Sequence, residues 1–255
     1  MQELLQYLSQ LVSWKILLVG VVLFLMRLIF LTALEKTNPA HNVDYWKVLP
    51  RDILATIVFI LIVLPIADYL NRKLVYQPIL PHWINEWPLA LRIFLYLVLA
   101  DFGHYWVHRW LHSRFLWPSH RWHHSPTYMY WQAGVRASIV QQTLVNVPYI
   151  LAAAFVAIGP WWMAWAIVLK NVLQNDFMHL NLWWGNRWLE WIIVTPRYHH
   201  IHHSVDPAHY RGNLAALLPV WDHVFGTFVD PDKVPKPLVF GIDEKVPSVR
   251  MAIGI

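Results

Sequence analysis

The sequence predicts an all-α integral membrane protein with about four to five transmembrane or re-entrant helices and a cytoplasmic helical cap that carries clustered histidines. Hydrophobic residues make up 57% of the 255 residues and charged residues only 14%, whereas soluble domains carry about 25% charged residues. The mean hydropathy is +0.37. The 17 tryptophans are typical of a bilayer protein with aromatic belts at its interfaces.

The first half of the chain contains three candidate spans, since a spanning helix needs roughly 20 mostly apolar residues. Residues 14–34 form the first and include Arg27. Residues 53–70 form the second and follow Pro50. Residues 88–103 are shorter, but their apolar run can extend further along the chain.

A fourth apolar stretch, at about residues 144–170, is interrupted by Gly159 and Pro160. Histidine clusters lie before and after this stretch, so a single crossing would put them on opposite sides of the membrane. A turn at Gly159–Pro160 predicts a hairpin instead, which returns the chain to its starting side. The predicted domains are N-terminal membrane helices (1–99), a histidine-cluster domain with the inserted hairpin (100–230) and a C-terminal tail (231–255).

Basic residues predict the orientation. The loop on the histidine side of the predicted spans carries Lys36, Lys47 and Arg51, whereas the opposite loop carries Arg72 and Lys73. Because basic loops stay in the cytoplasm, the sequence predicts a multi-pass protein with its histidines on the cytoplasmic side.

Composition excludes several classes of protein. The absence of cysteine excludes disulfides, iron–sulfur clusters with cysteine ligands and thiolate-bound haem. The net charge is +5, but the basic residues form no stripe, so nucleic acid is not an expected partner. Fifteen histidines are present, and those from His104 onward are concentrated in short clusters, which favours metal binding.

The first two clusters have spacings that suit metal ligation. In HRWLH, His108 and His112 lie four residues apart and share a helix face. In HRWHH, the spacing predicts that His120 and His123 share a face, whereas His124 points about a third of a turn away and can reach a second ion.

The third cluster, HHIHH, repeats this pattern with His199, His202 and His203, and His179 stands alone in MHLN. A structural zinc ion is satisfied by four ligands, so nine imidazoles fit two metal ions with open positions better. The remaining histidines are expected to be structural, surface or outer polar groups: His41, His82, His104, His200, His209 and His223.

The three clusters occur within DFGHYWVHRWLH, LWPSHRWHHS and TPRYHHIHHS, with MHLN before the third cluster and PVWDHVFGTF after it. This series resembles the fatty acid hydroxylase/sterol desaturase superfamily of membrane enzymes from about Ala100 to Phe228. HHSPTYMYWQAGVRAS and WDHVFGTF are most similar to its alkylglycerol monooxygenase and bacterial sterol-desaturase-like branches. The resemblance implies a di-iron centre held by His108, His112, His120, His123, His124, His179, His199, His202 and His203.

The resemblance also implies an oxidoreductase that uses O2 to hydroxylate a C–H bond of a lipid-like substrate: a fatty acyl, alkyl-glycerol, sterol-like or carotenoid molecule. Desaturation at the same site is the alternative reaction. Since no flavin or nicotinamide fingerprint is visible, a separate electron donor is expected: a ferredoxin, cytochrome or reductase. A membrane metal-binding or transport protein is the alternative from a different class. Transport predicts ionisable residues inside the spans, where the sequence offers mainly Arg27 and Arg92.

Other polar residues are candidates for supporting roles. Imidazole ligands are usually oriented by acceptors for their second N–H group. Carboxylates near the clusters in sequence are therefore candidates for that role: Asp101, Asp176, Glu190, Asp206 and Asp222. Arg136 and Asn213 are candidates for contact with the polar end of a substrate.

Overall fold

The computed structural model describes residues 14–74, 82–156 and 160–255. Within these ranges the regular structure is helical, with two isolated β-bridges and no strand. The predicted all-α class is therefore confirmed. The α-helices are α1 (Trp14–Thr37), α2 (Tyr45–Val58), α3 (Leu64–Leu74), α4 (Leu89–Leu111), α5 (Trp117–His124), α6 (Ile139–Val156), α7 (Pro160–Lys170), α8 (Pro196–His202), α9 (Val220–Phe225) and α10 (Ser248–Ile253).

Shorter helical segments complete the secondary structure. A π-helix, Phe59–Val63, joins α2 to α3, and a second one, Asn171–Phe177, continues α7. The 3-10 helices are His82–Glu86, Ala133–Val135, Leu189–Trp191, Pro207–His209 and Pro231–Lys233.

Three helices in the described part of the chain are long and apolar enough to cross a membrane, judged by length and composition: Tyr45–Lys73, Leu89–Leu111 and Ile139–Val156. Large apolar side chains such as Leu54, Leu61 and Phe94 are exposed on them, as expected for surfaces that face lipid. The first predicted span, residues 14–34, lies within the 24-residue helix α1. The total of four to five spans stays a prediction.

Two predicted helix boundaries are wrong. The second long helix begins at Tyr45 and contains Pro50, although the sequence predicted a start after that proline. Pro50 lies in the second turn, so its missing N–H costs one hydrogen bond near the helix end. The third helix continues to Leu111 because no proline interrupts it before the first histidine cluster. Gly103 allows α6 to pack closely, since a Cβ there would lie 2.7 Å from Pro148 Cβ.

The chain returns beside α6 after the predicted turn. Gly159 lies outside the described residues, and α7 begins at Pro160. Tyr149 of α6 donates a hydrogen bond to Gln174 Oε1 (2.8 Å), and Lys170 Nζ lies 3.9 Å from the centroid of the Tyr149 ring. These contacts are those of two antiparallel neighbours, so residues before α6 and after α7 lie at the same end of the pair.

Two buried carboxylates tie the long helices to the segments around the histidines. Glu35 accepts hydrogen bonds from the backbone N–H groups of Trp131 (2.7 Å) and Asn181 (2.8 Å). Asp52 accepts hydrogen bonds from Tyr130 (2.8 Å) and Arg136 (2.8 Å). Because neither carboxylate is exposed, these contacts fix α1 and α2 against the chain segments that follow α5 and His179.

Candidate metal centre

Nine buried histidines converge in two adjacent groups. In each group, the nitrogen atoms that could ligate a metal ion all lie within 4.8 Å of one another. The two groups adjoin, since the rings of His124 and His203 stack with centroids 4.4 Å apart. The five-histidine group is His108, His112, His120, His124 and His202, and the four-histidine group is His123, His179, His199 and His203.

Three helices and one connecting segment supply these side chains. The C-terminal end of α4 carries the first cluster, α5 carries the second, and α8 with its C-cap residue carries the third. His179 follows the π-helix Asn171–Phe177. The register of α8 is fixed at its start, because the Thr195 side chain accepts a hydrogen bond from the Tyr198 backbone N–H (3.4 Å) and Pro196 is well suited to the first turn.

The predicted sharing of faces within the second cluster is wrong. His120 and His124 belong to one group, whereas His123 belongs to the other. An α-helix turns by about 100° per residue, so residues four apart differ by about 40° and residues three apart by about 60°. The four-residue spacing therefore keeps the side chains of His120 and His124 together, whereas His123 points into the second group.

The third cluster was predicted to follow the same pattern, and that prediction is wrong for the same reason. His199 and His203 lie together in the four-histidine group, whereas His202 joins the five-histidine group. Helices α5 and α8 thus each contribute to both groups, which brings the two groups side by side.

The separations between ring nitrogens match those of ligands around a metal ion. Nε2 of His120 lies 3.1 Å from Nε2 of His108 and 3.2 Å from Nε2 of His124. In the other group, Nε2 of His199 lies 3.0 Å from Nε2 of both His179 and His203. Two nitrogens that are each about 2.1 Å from one ion lie roughly 3.0 to 3.4 Å apart at octahedral or tetrahedral angles.

Backbone carbonyls define which nitrogen carries the proton in three of the rings. Nδ1 donates a hydrogen bond to Leu214 O in His108 (2.6 Å), to Gly212 O in His202 (2.9 Å) and to Asn175 O in His179 (2.7 Å). A neutral imidazole carries one N–H group, so Nε2 of each ring presents a bare lone pair to the centre of its group.

Burial keeps these rings neutral. It lowers the pKa of His179 to about 4, although the hydrogen bond to Asn175 opposes that shift. Burial is also the largest cause that lowers the pKa of His199 and His203 well below the usual value, and neighbouring histidines lower both further. Neutral rings with converging lone pairs repel one another unless a cation lies between them, so the residues fit two metal ions. Imidazole suits iron, zinc and copper alike.

The carboxylates predicted to orient the imidazoles have other partners. Asp101 accepts hydrogen bonds from the Leu218 backbone N–H (2.9 Å) and Trp221 Nε1 (3.0 Å). Asp176 forms an ion pair with Arg27. Asp206 is exposed and accepts a hydrogen bond from the N–H of the 3-10 helix residue Ala208 (2.9 Å). A role for these three in orienting the rings stays a prediction.

Asp222 and Glu190 form hydrogen bonds with segments that adjoin the histidines, and a role in orienting the rings stays a prediction for both. Asp222 accepts hydrogen bonds from the backbone N–H groups of Leu214 (2.8 Å) and Ala215 (2.7 Å), and the carbonyl of Leu214 in turn accepts the N–H of His108. Glu190 accepts hydrogen bonds from Arg197 Nε (2.6 Å) and Thr195 Oγ1 (2.7 Å), which fixes the start of α8. Both side chains are fully buried.

The two residues predicted to contact substrate are engaged within the protein. The Arg136 guanidinium contacts Asp52, Ser125 (3.1 Å) and Tyr128 (2.6 Å). The Asn213 side chain bonds the backbone of Tyr198 and Val229 through both its nitrogen and its oxygen. Contact with a substrate stays a prediction for both.

Sequence reasoning missed a glycine that contacts the centre. A Cβ at Gly134 would lie 2.5 Å from Cε1 and Nδ1 of His179, so this position needs the smallest residue. Gly134 lies within HHSPTYMYWQAGVRAS, but no residue-level signal distinguished it there. The structure also pairs two histidines that were expected to act separately: Nε2 of His41 lies 3.2 Å from Nδ1 of buried His200.

Comparison with known proteins agrees with this arrangement. The family model described as fatty acid hydroxylase matches residues 93–227, which is more than half of the chain and contains all nine histidines. The chain belongs to the fatty acid hydroxylase family. This membership confirms the predicted superfamily and, at the level of the family, the predicted oxidoreductase class. No solved structure matches the chain.

Named relatives of this fatty acid hydroxylase family member are lipid-modifying enzymes. The chain is 29% identical to alkylglycerol monooxygenase of Xenopus tropicalis over 194 residues, which cover 71% of the chain and 39% of that protein. It is 31% identical to the ornithine lipid hydroxylase of Rhizobium tropici over 169 residues, which cover 64% of the chain and 49% of that protein. It is 24% identical to methylsterol monooxygenase 1-3 of Arabidopsis thaliana over 142 residues, which cover 54% and 48%. The chain thus spans less than half the length of each of these relatives.

We predict that Asp222→Asn weakens metal binding by roughly 10- to 100-fold. The amide would present a donor where the carboxylate accepts N–H groups, so Leu214 and with it His108 would lose their fixed positions. Chelator competition on the intact protein measures the affinity. Asp206→Asn, a change in an exposed carboxylate, is the control and is expected to leave the affinity unchanged. Equal affinities for Asp222→Asn and the wild type would contradict this positioning role.

We predict that Gly134→Ala removes metal from the four-histidine group and leaves the five-histidine group loaded. The added methyl group overlaps the His179 ring, which must turn out of the group. Elemental analysis of the purified protein should then show half the metal found in the wild type. Gly20→Ala is the control, since no atom lies within 4 Å of a Cβ at Gly20. Full metal content in Gly134→Ala would rule out the predicted displacement.

Proposed function

We propose that the chain is a membrane-bound, O2-dependent di-iron oxygenase that hydroxylates a C–H bond of a lipid-like substrate. The observation that carries this proposal is the pair of adjacent, buried, all-histidine groups, next to helices long enough to cross a membrane. Membership of the fatty acid hydroxylase family and the names of its relatives, which are monooxygenases and a hydroxylase, support O2 as a reactant, and the resemblance to the superfamily implies iron as the metal.

The proposed ligands are the nine histidines of the two groups, five for one iron and four for the other. Bound iron supplies the redox chemistry with O2 that amino acid side chains lack. The protein contributes neutral imidazoles, holds His108, His202 and His179 in one tautomer through backbone carbonyls, and excludes bulk water by burying every ligand.

The proposed substrate is an amphipathic lipid with an unactivated C–H bond. By their names, the relatives act on an alkylglycerol, an ornithine lipid and a methylsterol, which differ in their polar groups and share extended apolar parts. A substrate of this class would approach from the bilayer along the exposed apolar surfaces of the long helices. A fatty acyl, alkyl-glycerol, sterol-like or carotenoid molecule fits this description.

The hydroxylation prediction is tested on lipid extracts of cells that express the wild type or His202→Ala. We expect a species heavier by one oxygen atom in the wild-type extract alone, because His202 belongs to the five-histidine group. High-resolution mass spectrometry identifies the species. His223→Phe is the matched control: His223 lies outside both groups and stacks on Trp191 with centroids 3.6 Å apart, which phenylalanine preserves.

Other outcomes of this comparison are equally informative. A wild-type species lighter by two hydrogen atoms would show desaturation instead of hydroxylation. Identical extracts at equal expression of the two proteins, with iron bound in the wild type, would contradict an oxygenase that acts on a native lipid.

We further propose that the histidines lie on the cytoplasmic side of the membrane. The end of the Tyr45–Lys73 helix nearest the histidines carries Lys47, and the last turn of the preceding helix α1 carries Lys36, in agreement with the basic character of segments on the cytoplasmic side.

This orientation predicts that single cysteines at the two ends of the Tyr45–Lys73 helix differ in accessibility. The chain has no native cysteine, so the reporters need no background substitutions. In intact cells, an impermeant thiol reagent should label Lys73→Cys and not Lys47→Cys, and permeabilised cells provide the control in which both react. The reverse pattern would place the histidines outside, and labelling of both in intact cells would contradict a spanning helix.

A further inference from the structure

The backbone of a partly exposed histidine, His41, is held next to the four-histidine group by a buried amide. His41 lies in the loop between α1 and α2 and is partly exposed. Its backbone N–H donates to Asn181 Oδ1 (2.9 Å), and its backbone carbonyl accepts from Asn181 Nδ2 (2.9 Å). One buried amide thus clamps both sides of the His41 backbone to the segment that follows His179.

The His41 side chain leads inward to the metal centre. His200 is fully buried and donates from Nε2 to Leu180 O (2.9 Å), so its Nδ1 accepts the N–H of His41 at 3.2 Å. His200 is bonded in the chain to His199, which belongs to the four-histidine group. The path from the surface to a proposed iron ligand is therefore one hydrogen bond followed by a covalent connection.

Aromatic rings surround this path. The Phe240 ring meets the His41 ring edge-on with centroids 4.9 Å apart. The Trp183 ring lies against His200, with centroids 6.3 Å apart. These rings pack against both imidazoles and help to hold them in position.

The surface around His41 is cationic. A pocket of about 460 Å³ beside His41 is lined by Lys36 and contains no carboxylate among its described lining residues. On the other side, Lys236 Nζ lies 3.9 Å from the centroid of the Trp183 ring. Burial lowers the pKa of His41, and the nearby charge of Lys236 lowers it further. Two lysines from distant parts of the chain thus flank the outer end of the path.

Hydroxylation needs electrons from outside the chain. The balanced reaction is R–H + O2 + 2 e⁻ + 2 H⁺ → R–OH + H2O, in which the substrate supplies two further electrons. Resting on the proposed function, we infer that Lys36 and Lys236 form the docking surface for an acidic electron-transfer protein, with His41 as the point where electrons enter. This protein delivers its electrons one at a time through His41 and His200. A cationic rim recognises an acidic partner and raises the rate of productive encounter.

The docking surface is tested with the intact, iron-loaded enzyme in nanodiscs and a reduced acidic [2Fe–2S] ferredoxin as the probe. Stopped-flow spectroscopy measures the rate of reduction against ferredoxin concentration. We expect Lys36→Glu combined with Lys236→Glu to raise the half-saturating concentration about tenfold and to weaken its dependence on salt. Arg72→Glu combined with Lys73→Glu changes the net charge equally at the far end of α3 and should have no such effect.

The path is tested separately with His41→Phe. This variant keeps the ring contact with Phe240 and removes the hydrogen bond to His200, so the limiting rate at saturating ferredoxin should fall several-fold without a change in half-saturation. His41→Gln can still donate to His200 and should recover part of that rate. An unchanged limiting rate in His41→Phe would overturn the path.

A small reductant separates this inference from the proposed function. Reduced methyl viologen needs no docking surface, so it should reduce the wild type and every variant alike. If it fails to reduce the wild type, or no product forms with O2, the proposed function fails. If it succeeds and ferredoxin reduces the lysine variants as fast as the wild type, the docking surface is refuted. A further outcome is that the lysine variants bind anionic-lipid vesicles more weakly than the wild type while ferredoxin reduces them at unchanged rates. That outcome would show that the surface binds lipid and not an electron-transfer protein.

Discussion

The structure depends on nine neutral imidazoles whose ring nitrogens converge on two common points. His108, His202 and His179 already donate from Nδ1 to backbone carbonyls, so their Nε2 lone pairs face neighbouring ring nitrogens 3.0 to 3.2 Å away and repel any lone pair there. A buried cation removes this repulsion, so metal binding and folding of this part of the chain are coupled. The helices that carry the histidines are short, with seven residues in α8 and eight in α5. Isolated helices of this length are unstable in water, so packing against neighbouring segments stabilises them, and a bound metal ion would add to that stability.

Backbone carbonyls, rather than carboxylates, receive the ring N–H groups that the structure defines. This choice makes the loops that carry those carbonyls part of the centre. Asp222 accepts the backbone N–H of Leu214 and so holds the loop that contains it. The ion pair of Glu190 with Arg197 holds the start of α8. Asp222 thus reaches the His108 ring only through the backbone of Leu214, a contact that proximity in sequence does not reveal.

The membrane explains why segments distant in sequence meet at the centre. The long apolar helices expose large apolar side chains, and the polar groups at the histidine-side ends of α1 and α2 are buried. Glu35 and Asp52, at the histidine-side ends of α1 and α2, accept hydrogen bonds from the segments around residues 130 and 181. The antiparallel pair α6 and α7 returns the chain to that same side. The two histidine groups are consequently assembled from helix ends and the segments that join them, and the α1–α2 loop brings His41 against His200.

The sequence by itself determined the helical class, the family, the three histidine clusters and the length of the apolar runs, because each is a local pattern with a short period. It did not determine which histidines share a group, since residues three apart and four apart are offset by similar angles on a helix, about 60° and about 40°, and both spacings occur in the second and third clusters. Tertiary structure decided that division by placing α5 against α8. It also decided the close contact between Gly134 and His179 and the pairing of His41 with His200. Residues 134 and 179, like residues 41 and 200, are too distant in sequence for any local pattern to connect them, and only packing brings them together.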